Sequence, residues 1–331
     1  MTRQPPSVLV DRFGRVHNYL RLSVTDRCNF RCVYCLPAEG MEWMPRDELL
    51  TFEEMARIVT VFANLGIRRV RITGGEPTLR KDLVDLVALL SDLGLDEIAL
   101  TTNGLLLPKL AAPLAAAGLT RVNVSLDSLK PARFAALTRG ASLRRVLAGI
   151  EAAWDAGLHP VKINAVLLRG QNDDELEELI QYFEPHADKT HLRFIEYMPF
   201  EARWHASVTG AELRERIQAF RTLEPVGRDT QGGPAEGWRV AESGLRLGFI
   251  SPLSERFCAS CNRLRLMANG HLRTCLSDDG TPSLRDILRD GASDEELGSA
   301  IQNMVSGKRE SHGCTVDGGV PFEGVMTRIG G

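Results

Sequence analysis

Lysine is scarce in this chain. It stands at six positions although Lys and Arg together number 40, so guanidinium groups carry nearly all the positive charge. That is a compositional bias, and no function follows from it. Neither sign of charge is in excess: the net charge of −3 gives no global argument for nucleic acid or an anionic membrane as partner. An anionic ligand must therefore be held by a local cationic cluster. Long apolar runs are also missing, none approaching the ~20 residues needed to cross a bilayer. The opening MTRQPPSVLVDRFGRVHNYL holds no signal-peptide core. The expectation is a cytoplasmic protein whose thiols stay reduced.

Cysteine is present but never in the numbers that ordinary sites require. The seven fall into two triplets, Cys28, Cys32, Cys35 and Cys258, Cys261, Cys275, with Cys314 left over. In a reducing compartment they read as ligands or a nucleophile before they read as disulfides. A structural zinc site wants four ligands, so each triplet is one short.

With 331 residues, 44% of them hydrophobic, the chain can bury one large core or a core and a smaller appended domain. Short apolar runs alternate with amphipathic segments. Strands are expected over 19–25, 69–74, 97–103, 121–127, 161–168 and 191–198, with helices near 52–65, 82–93, 108–117, 142–157 and 173–184. Thr51 stands as an N-cap before FEEMARIVTVFANLG, and Gly66 closes that segment. Such alternation implies βα units on a parallel sheet, and six units are too few for a closed eight-fold barrel. The fold class expected is α/β, an open partial (βα)6 barrel over residues 1–240. After residue 200 the pattern changes: VGRDTQGGPAEGWRV reads as a turn region and GLRLGFIS as a short strand. A smaller C-terminal domain is placed at 241–331.

In βα architectures the loops after the strands carry the chemistry. The first triplet follows strand one, GGEP (74–77) strand two and TNG (102–104) strand three, while SLD (125–127) closes strand four and Met198 ends strand six. Three thiolates on a 4Fe-4S cluster leave one iron open for an outside ligand, a need of radical chemistry run from S-adenosylmethionine (SAM). Zinc completed by His17 and a dormant cysteine group are the competing readings. CNFRCVYC, with Tyr34 before its last cysteine and GGEP one strand later, resembles the signature of the radical SAM superfamily. The resemblance implies a radical SAM barrel whose cluster and SAM together generate a 5′-deoxyadenosyl radical.

The second triplet, C-x2-C-x13-C, is more ambiguous, because His271, His312 and Cys314 leave a zinc site open beside a second iron–sulfur cluster. Inside its span NRLRL sets Arg263 and Arg265 two apart. If the segment is extended, both guanidinium groups share a face and suit phosphate oxygens. Arg21, Arg71 and Lys162 add cations at strand positions.

LRLSVTDRCNFRCVYC, RITGGEPTLR, LTTNGLLL, RVNVSLDSL, NRLRL, LRTCL and the terminal IGG together resemble the GTP 3′,8-cyclase family of the superfamily over almost the whole chain. The resemblance implies conversion of GTP to (8S)-3′,8-cyclo-7,8-dihydroguanosine 5′-triphosphate, the first step of molybdenum cofactor biosynthesis. It implies two 4Fe-4S clusters, held by Cys28, Cys32, Cys35 and by Cys258, Cys261, Cys275. SAM would be bound at Tyr34, Gly75, Ser125 and Met198, and GTP at Arg21, Arg71, Thr101, Lys162, Arg263, Leu264 and Arg265. Arg21, Arg263, Arg265, Gly330 and Gly331 would serve catalysis. It also implies an electron donor, a homodimer and a pterin synthase acting on the product. Two features depart from the family pattern: Val325 stands where relatives have Arg-Pro before Met, and Cys314 lies outside the six expected cysteines.

Overall fold

The computed structural model describes residues 8–198, 207–228, 233–278 and 282–314. Its first part is a run of six strands separated by helices: β1 (Tyr19–Ser23), α1 (Phe52–Asn64), β2 (Arg69–Thr73), α2 (Leu83–Ser91), β3 (Glu97–Thr102), α3 (Leu107–Ala116), β4 (Arg121–Ser125), α4 (Pro131–Thr138), α5 (Leu143–Asp155), β5 (Val161–Leu167), α6 (Leu176–Phe183) and β6 (Thr190–Glu196). Each expected strand and helix is present within a few residues of its expected bounds. Within this first part α4 was not foreseen; with eight residues it is too short to set up a clear 3.6-residue apolar period.

The local reasons are those of the sequence. Thr51 and Glu54 form a reciprocal capping box at the start of α1, which satisfies two N–H groups otherwise orphaned. The chain leaves α1 through Gly66 at φ +100°, a conformation glycine adopts without steric cost. The α1 face that carries Met55, Ile58, Val59 and Phe62 is fully buried. It joins Leu20, Leu22, Val70, Ile72, Ile98, Leu100, Val122 and Val124 of the strands in one continuous core. That core lies between the sheet and its helices.

After β6 follow α7 (Gly210–Gln218), β7 (Leu223–Arg228), β8 (Glu236–Val240), β9 (Arg246–Ile250), β10 (Arg263–Leu266), β11 (Leu272–Arg273), α8 (Leu284–Arg289) and α9 (Asp294–Ser306). The region expected as a turn, 226–240, is instead partly strand: its first three residues belong to β7 and its last five to β8, which pair antiparallel. The sheet order is β11-β10-β1-β2-β3-β4-β5-β6-β9-β8-β7. Strands β1 to β6 are parallel neighbours, and β10 and β9 extend the parallel run beyond β1 and β6. In a flat sheet β6 would stand about 24 Å from β1, at ~4.8 Å per step. Arg193 on β6 nonetheless lies within electrostatic reach of Tyr19 on β1 and Arg71 on β2. The sheet is therefore curled, as an open barrel requires. No helix among the described residues is long and apolar enough to cross a membrane.

Candidate active site

Strand register decides which side chains share the inner face. Tyr19 pairs with Arg69 and Arg263, and Arg21 with Arg71 and Arg265. Further along, Arg71 pairs with Ala99 and Ala99 with Arg121. Thr101, Asn123, Lys162 and His191 form the next row, and Ser125, Asn164 and Arg193 the row beyond. Partners in register project to the same side of a parallel sheet, so these polar residues oppose the apolar set that packs on the helices. A parallel strand covered on both faces usually reads as an unbroken apolar run. Here one face is given over to cations.

Burial makes those cations costly. Loss of water, followed by repulsion from Arg265 and Arg71, pushes the Arg21 guanidinium well below its usual range. The same order of causes, burial and then Arg71 and Arg121, acts on Arg193. Arg265 is brought down to about 10 by burial and by Arg263. The inner-face carboxylate Glu97 is claimed by Arg121, with nitrogen–oxygen distances of 3.1 and 2.7 Å. Arg193 is 6% exposed and has neither a hydrogen bond nor an ion pair among the described residues. At an effective dielectric of about 20, two like charges 8 Å apart repel by about 2 kcal/mol. Such a row persists where an anion is to be received.

His191 lies in the same field. Burial, then Lys162 and Arg246, lowers its pKa to about 3. His17 is lowered to about 4 by burial and Lys308, against the pull of Asp11, whose carboxylate is 3.0 Å away. Both rings are neutral when folded at pH 7 and take protons more readily when unfolded. Their contribution is complete above pH ~6.5 and is lost as pH falls toward 4 and 3. Urea unfolding of the iron-free chain at pH 5.5 is expected to show about 2 kcal/mol less stability than at pH 7.5. Asn at both histidines should flatten the difference; a double variant as acid-sensitive as the parent would contradict it.

The first triplet occupies the loop after β1. That loop is pinned from two sides. Arg31 and Val33 donate backbone N–H groups to Thr138 and Leu137, and Arg139 donates to the carbonyls of Arg31 and Leu36. On the other side Gly75 N–H donates to Thr25 O and Glu76 N–H to Arg27 O, both at 2.7 Å. A Cβ on Gly75 would stand 2.4 Å from Arg27 O and 2.5 Å from Asp26 O. The glycines of GGEP thus let their loop pass against the backbone of the cysteine loop. Glu76 is buried and accepts from Thr78 Oγ1 and N, Thr102 Oγ1 and Asn103 N. It ties the loops after β2 and β3 together. Tyr34 donates its hydroxyl to Asp127 at 2.6 Å, and Asp127 also accepts Val166 N–H.

No three His, Cys, Asp or Glu side chains among the described residues converge closely enough for a single metal ion. Yet Cys32 feels both Cys28 and Cys35. Three thiols grouped in one loop suit a 4Fe-4S cluster, whose irons take thiolate ligands. Burial holds Cys28 up at about 11, and burial with Cys28 and Asp127 holds Cys35 up at about 12, so they ionise only with a cationic group among them. None of the seven cysteines is in a disulfide. His17 is turned to Asp11, and His312 spends one ring nitrogen on Pro252 O and the other on Cys314 N. His312 is thereby spent, whereas His17 keeps Nδ1 buried with no hydrogen-bond partner among the described residues.

In the second triplet the surroundings are basic. Burial would raise the Cys261 thiol, but Arg263 and Lys308 outweigh it and bring it to about 6. Strand β10 is extended as expected, with Arg263 and Arg265 on one face and Leu264 wholly in the core. Leu264 can thus offer a ligand only its backbone. Met198, expected to end strand six, lies two residues beyond β6 and packs with Leu253, Leu276 and Cys314. One small apolar group therefore links the expected SAM side to the neighbour of Cys275. Ser125 ends β4 on the inner face, and Thr101 accepts from Asn123 at 3.1 Å. Gly330 and Gly331 lie outside the described residues, as does Val325. Arg121, Asn123, Asn164, His191 and Arg193 were missed by sequence reasoning, although the period-two alternation of RVNVS and HLRF carried the signal.

Family models agree with this layout. One described as "Radical SAM superfamily" matches residues 22–183, and one described as "Molybdenum Cofactor Synthesis C" matches 190–314. A GTP 3′,8-cyclase of Marinobacter nauticus is 44% identical over 333 residues, covering 99% of this chain and 100% of that protein. Another from Caulobacter vibrioides is 47% identical over 312 residues, covering 92% and 88%. Among solved structures, Streptococcus suis SuiB superposes with a TM-score of 0.62 at 15% identity, over 91% of this chain and 69% of that one. That likeness concerns the fold alone. This level of identity over nearly the full length, together with the two family models, leads to one assignment: the chain belongs to the GTP 3′,8-cyclase family of the radical SAM superfamily.

Proposed function

We propose that this chain converts GTP to (8S)-3′,8-cyclo-7,8-dihydroguanosine 5′-triphosphate, the opening step of molybdenum cofactor biosynthesis, by radical SAM chemistry. One observation carries the reading: a cationic face, Arg193 buried and Arg21, Arg71, Lys162, Arg263 and Arg265 half-buried, lies on strands that include β1, which leads into the first cysteine triplet, and β10, which stands within the second. Cys28, Cys32 and Cys35 would hold one 4Fe-4S cluster and Cys258, Cys261 and Cys275 the other. When bound, the first cluster with SAM supplies the radical that removes the ribose C3′ hydrogen.

The chain's own residues bind, orient and exclude. Tyr34, fixed by Asp127, keeps the cysteine loop on the end of β4, while Gly75, Ser125 and Met198 border the SAM position. The guanidinium groups and Lys162 receive the triphosphate, replacing mutual repulsion with charge-assisted hydrogen bonds. Thr101 and the backbone at Leu264 would complete the GTP contacts, with Gly330 and Gly331 as the tail's share. Residues 1–240 would serve SAM and 241–331 the second cluster and the tail. An electron donor, a homodimer, a pterin synthase acting on the product and a cytoplasmic location belong to the same proposal.

The test is anaerobic reconstitution with iron and sulfide, followed by SAM, a reductant and GTP deuterated at C3′. Deuterium is expected in the 5′-deoxyadenosine formed. Deoxyadenosine without deuterium or loss of GTP would sink the substrate assignment, and its complete absence would sink the radical reading.

A further inference from the structure

Of the six lysines, Lys308 is the one that is fully buried, at 2% exposure. It follows α9, and its ammonium donates to Arg263 O at 2.8 Å and lies 3.8 Å from Cys261 Sγ. It has no carboxylate partner among the described residues. A buried ammonium without a counter-ion costs several kcal/mol, so its compensation must come from the ligand sulfurs, of which Cys261 and Cys275 are the first two it feels. The segment that carries it is itself anchored. Arg15 donates to Cys258 O at 2.9 Å, to Glu310 O at 2.8 Å and to Arg309 O at 2.7 Å. Its Nε is held by Asp11 at 2.6 Å. One guanidinium near the N-terminus thus joins a cysteine of the second triplet to the two residues after Lys308.

We propose that Lys308 is a positioning residue for the second cluster: its ammonium sets the electron affinity of the group held by Cys258, Cys261 and Cys275, with Arg15 and Asp11 keeping it in place. The proposal rests on the reading that this triplet binds an iron–sulfur cluster. Adding an electron makes such a cluster more negative, and a cation or donor beside a ligand sulfur favours that state, raising the potential. Because the same ammonium binds the carbonyl of Arg263, it also fixes the strand that presents Arg263 and Arg265.

The test uses the full chain with Cys28, Cys32 and Cys35 all replaced by Ala, so that only the second triplet can load. Its midpoint is followed by dithionite titration with mediator dyes and electron paramagnetic resonance, alongside iron and sulfide content. Lys308→Met is expected to shift the reduction equilibrium at least tenfold toward the oxidised form, about 59 mV more negative for one electron. Lys308→Arg should keep most of the parental potential. Loading lost in the Met variant but kept in the Arg variant would also support the charge role. A fully loaded Met variant at the parental midpoint, an Arg variant shifted as far as Met, or loss of loading in both would overturn it. A parental chain that takes up no iron and sulfide would instead strike at the reading of the triplet, and the proposal would fall with it.

Discussion

Replacing Arg193 by Met should make the ligand-free protein harder to unfold while weakening GTP binding about 10- to 100-fold. The two effects share one cause. The guanidinium is buried with no ion-pair partner among the described residues and sits among Arg71 and Arg121, with Glu97 only a lesser influence, so the ligand-free fold carries a poorly compensated charge. An unbranched apolar side chain of similar length removes that burden, and replacing buried ions with well-packed apolar groups is often neutral or stabilising by 1–4 kcal/mol. Hydrogen bonds to a charged group are worth roughly 1.5–3 kcal/mol each, hence the size of the affinity loss. Calorimetry with GTP and thermal unfolding without it would be read on the same samples. A variant that binds GTP as the parent does would remove Arg193 from the nucleotide site. One that is less stable without GTP would show that its charge is balanced in the resting protein.

The second large effect is expected at Gly75. An alanine there places a methyl group 2.4 and 2.5 Å from the carbonyl oxygens of Arg27 and Asp26, distances that backbone atoms do not yield to cheaply. The loop after β2 must then lift off the cysteine loop, breaking the bonds from Gly75 N–H and Glu76 N–H. The first cluster should be lost while the second, tied to β10 and the segment after α9, remains. Iron per chain after reconstitution should fall by about half, given four irons per cluster, and 5′-deoxyadenosine formation should vanish. Full iron content with normal SAM cleavage in Gly75→Ala would mean that the two loops part without consequence.

How far the site was legible follows from the kind of signal each part carries. The βα order could be read because apolar runs of period two and amphipathic stretches of period 3.6 alternate plainly, and because Thr51 and Gly66 mark a helix at both ends. The cysteine spacings and NRLRL stood out for the same reason, being local. What stayed hidden depends on contacts between distant segments. Nothing in RVNVS reveals that Arg121 is engaged by Glu97 of the preceding strand, nor does HLRF reveal that Arg193 has no such partner among the described residues. Lys308 was passed over because its importance lies in a sulfur 47 residues earlier. The glycines of GGEP were legible as a close approach, but only the folded chain shows that the surface approached is the cysteine loop itself.

The strand order also bears on how the molecule can be made. Both flanks of the six-stranded run are covered by strands that come late in the chain, β9 beside β6 and β10 beside β1. Strand β1 acquires its outer partner only after 239 residues have intervened. Until then its N–H and C=O groups form an open edge, which invites pairing with another chain. Pairing across so wide a gap is slow to form. A nascent chain cut before β10 would leave β1 as an open edge, and one cut before β9 would leave β6 open as well, whereas the finished sheet ends on the two-residue β11 and on β7, so the last quarter of the sequence shields the edges of the inner run during synthesis.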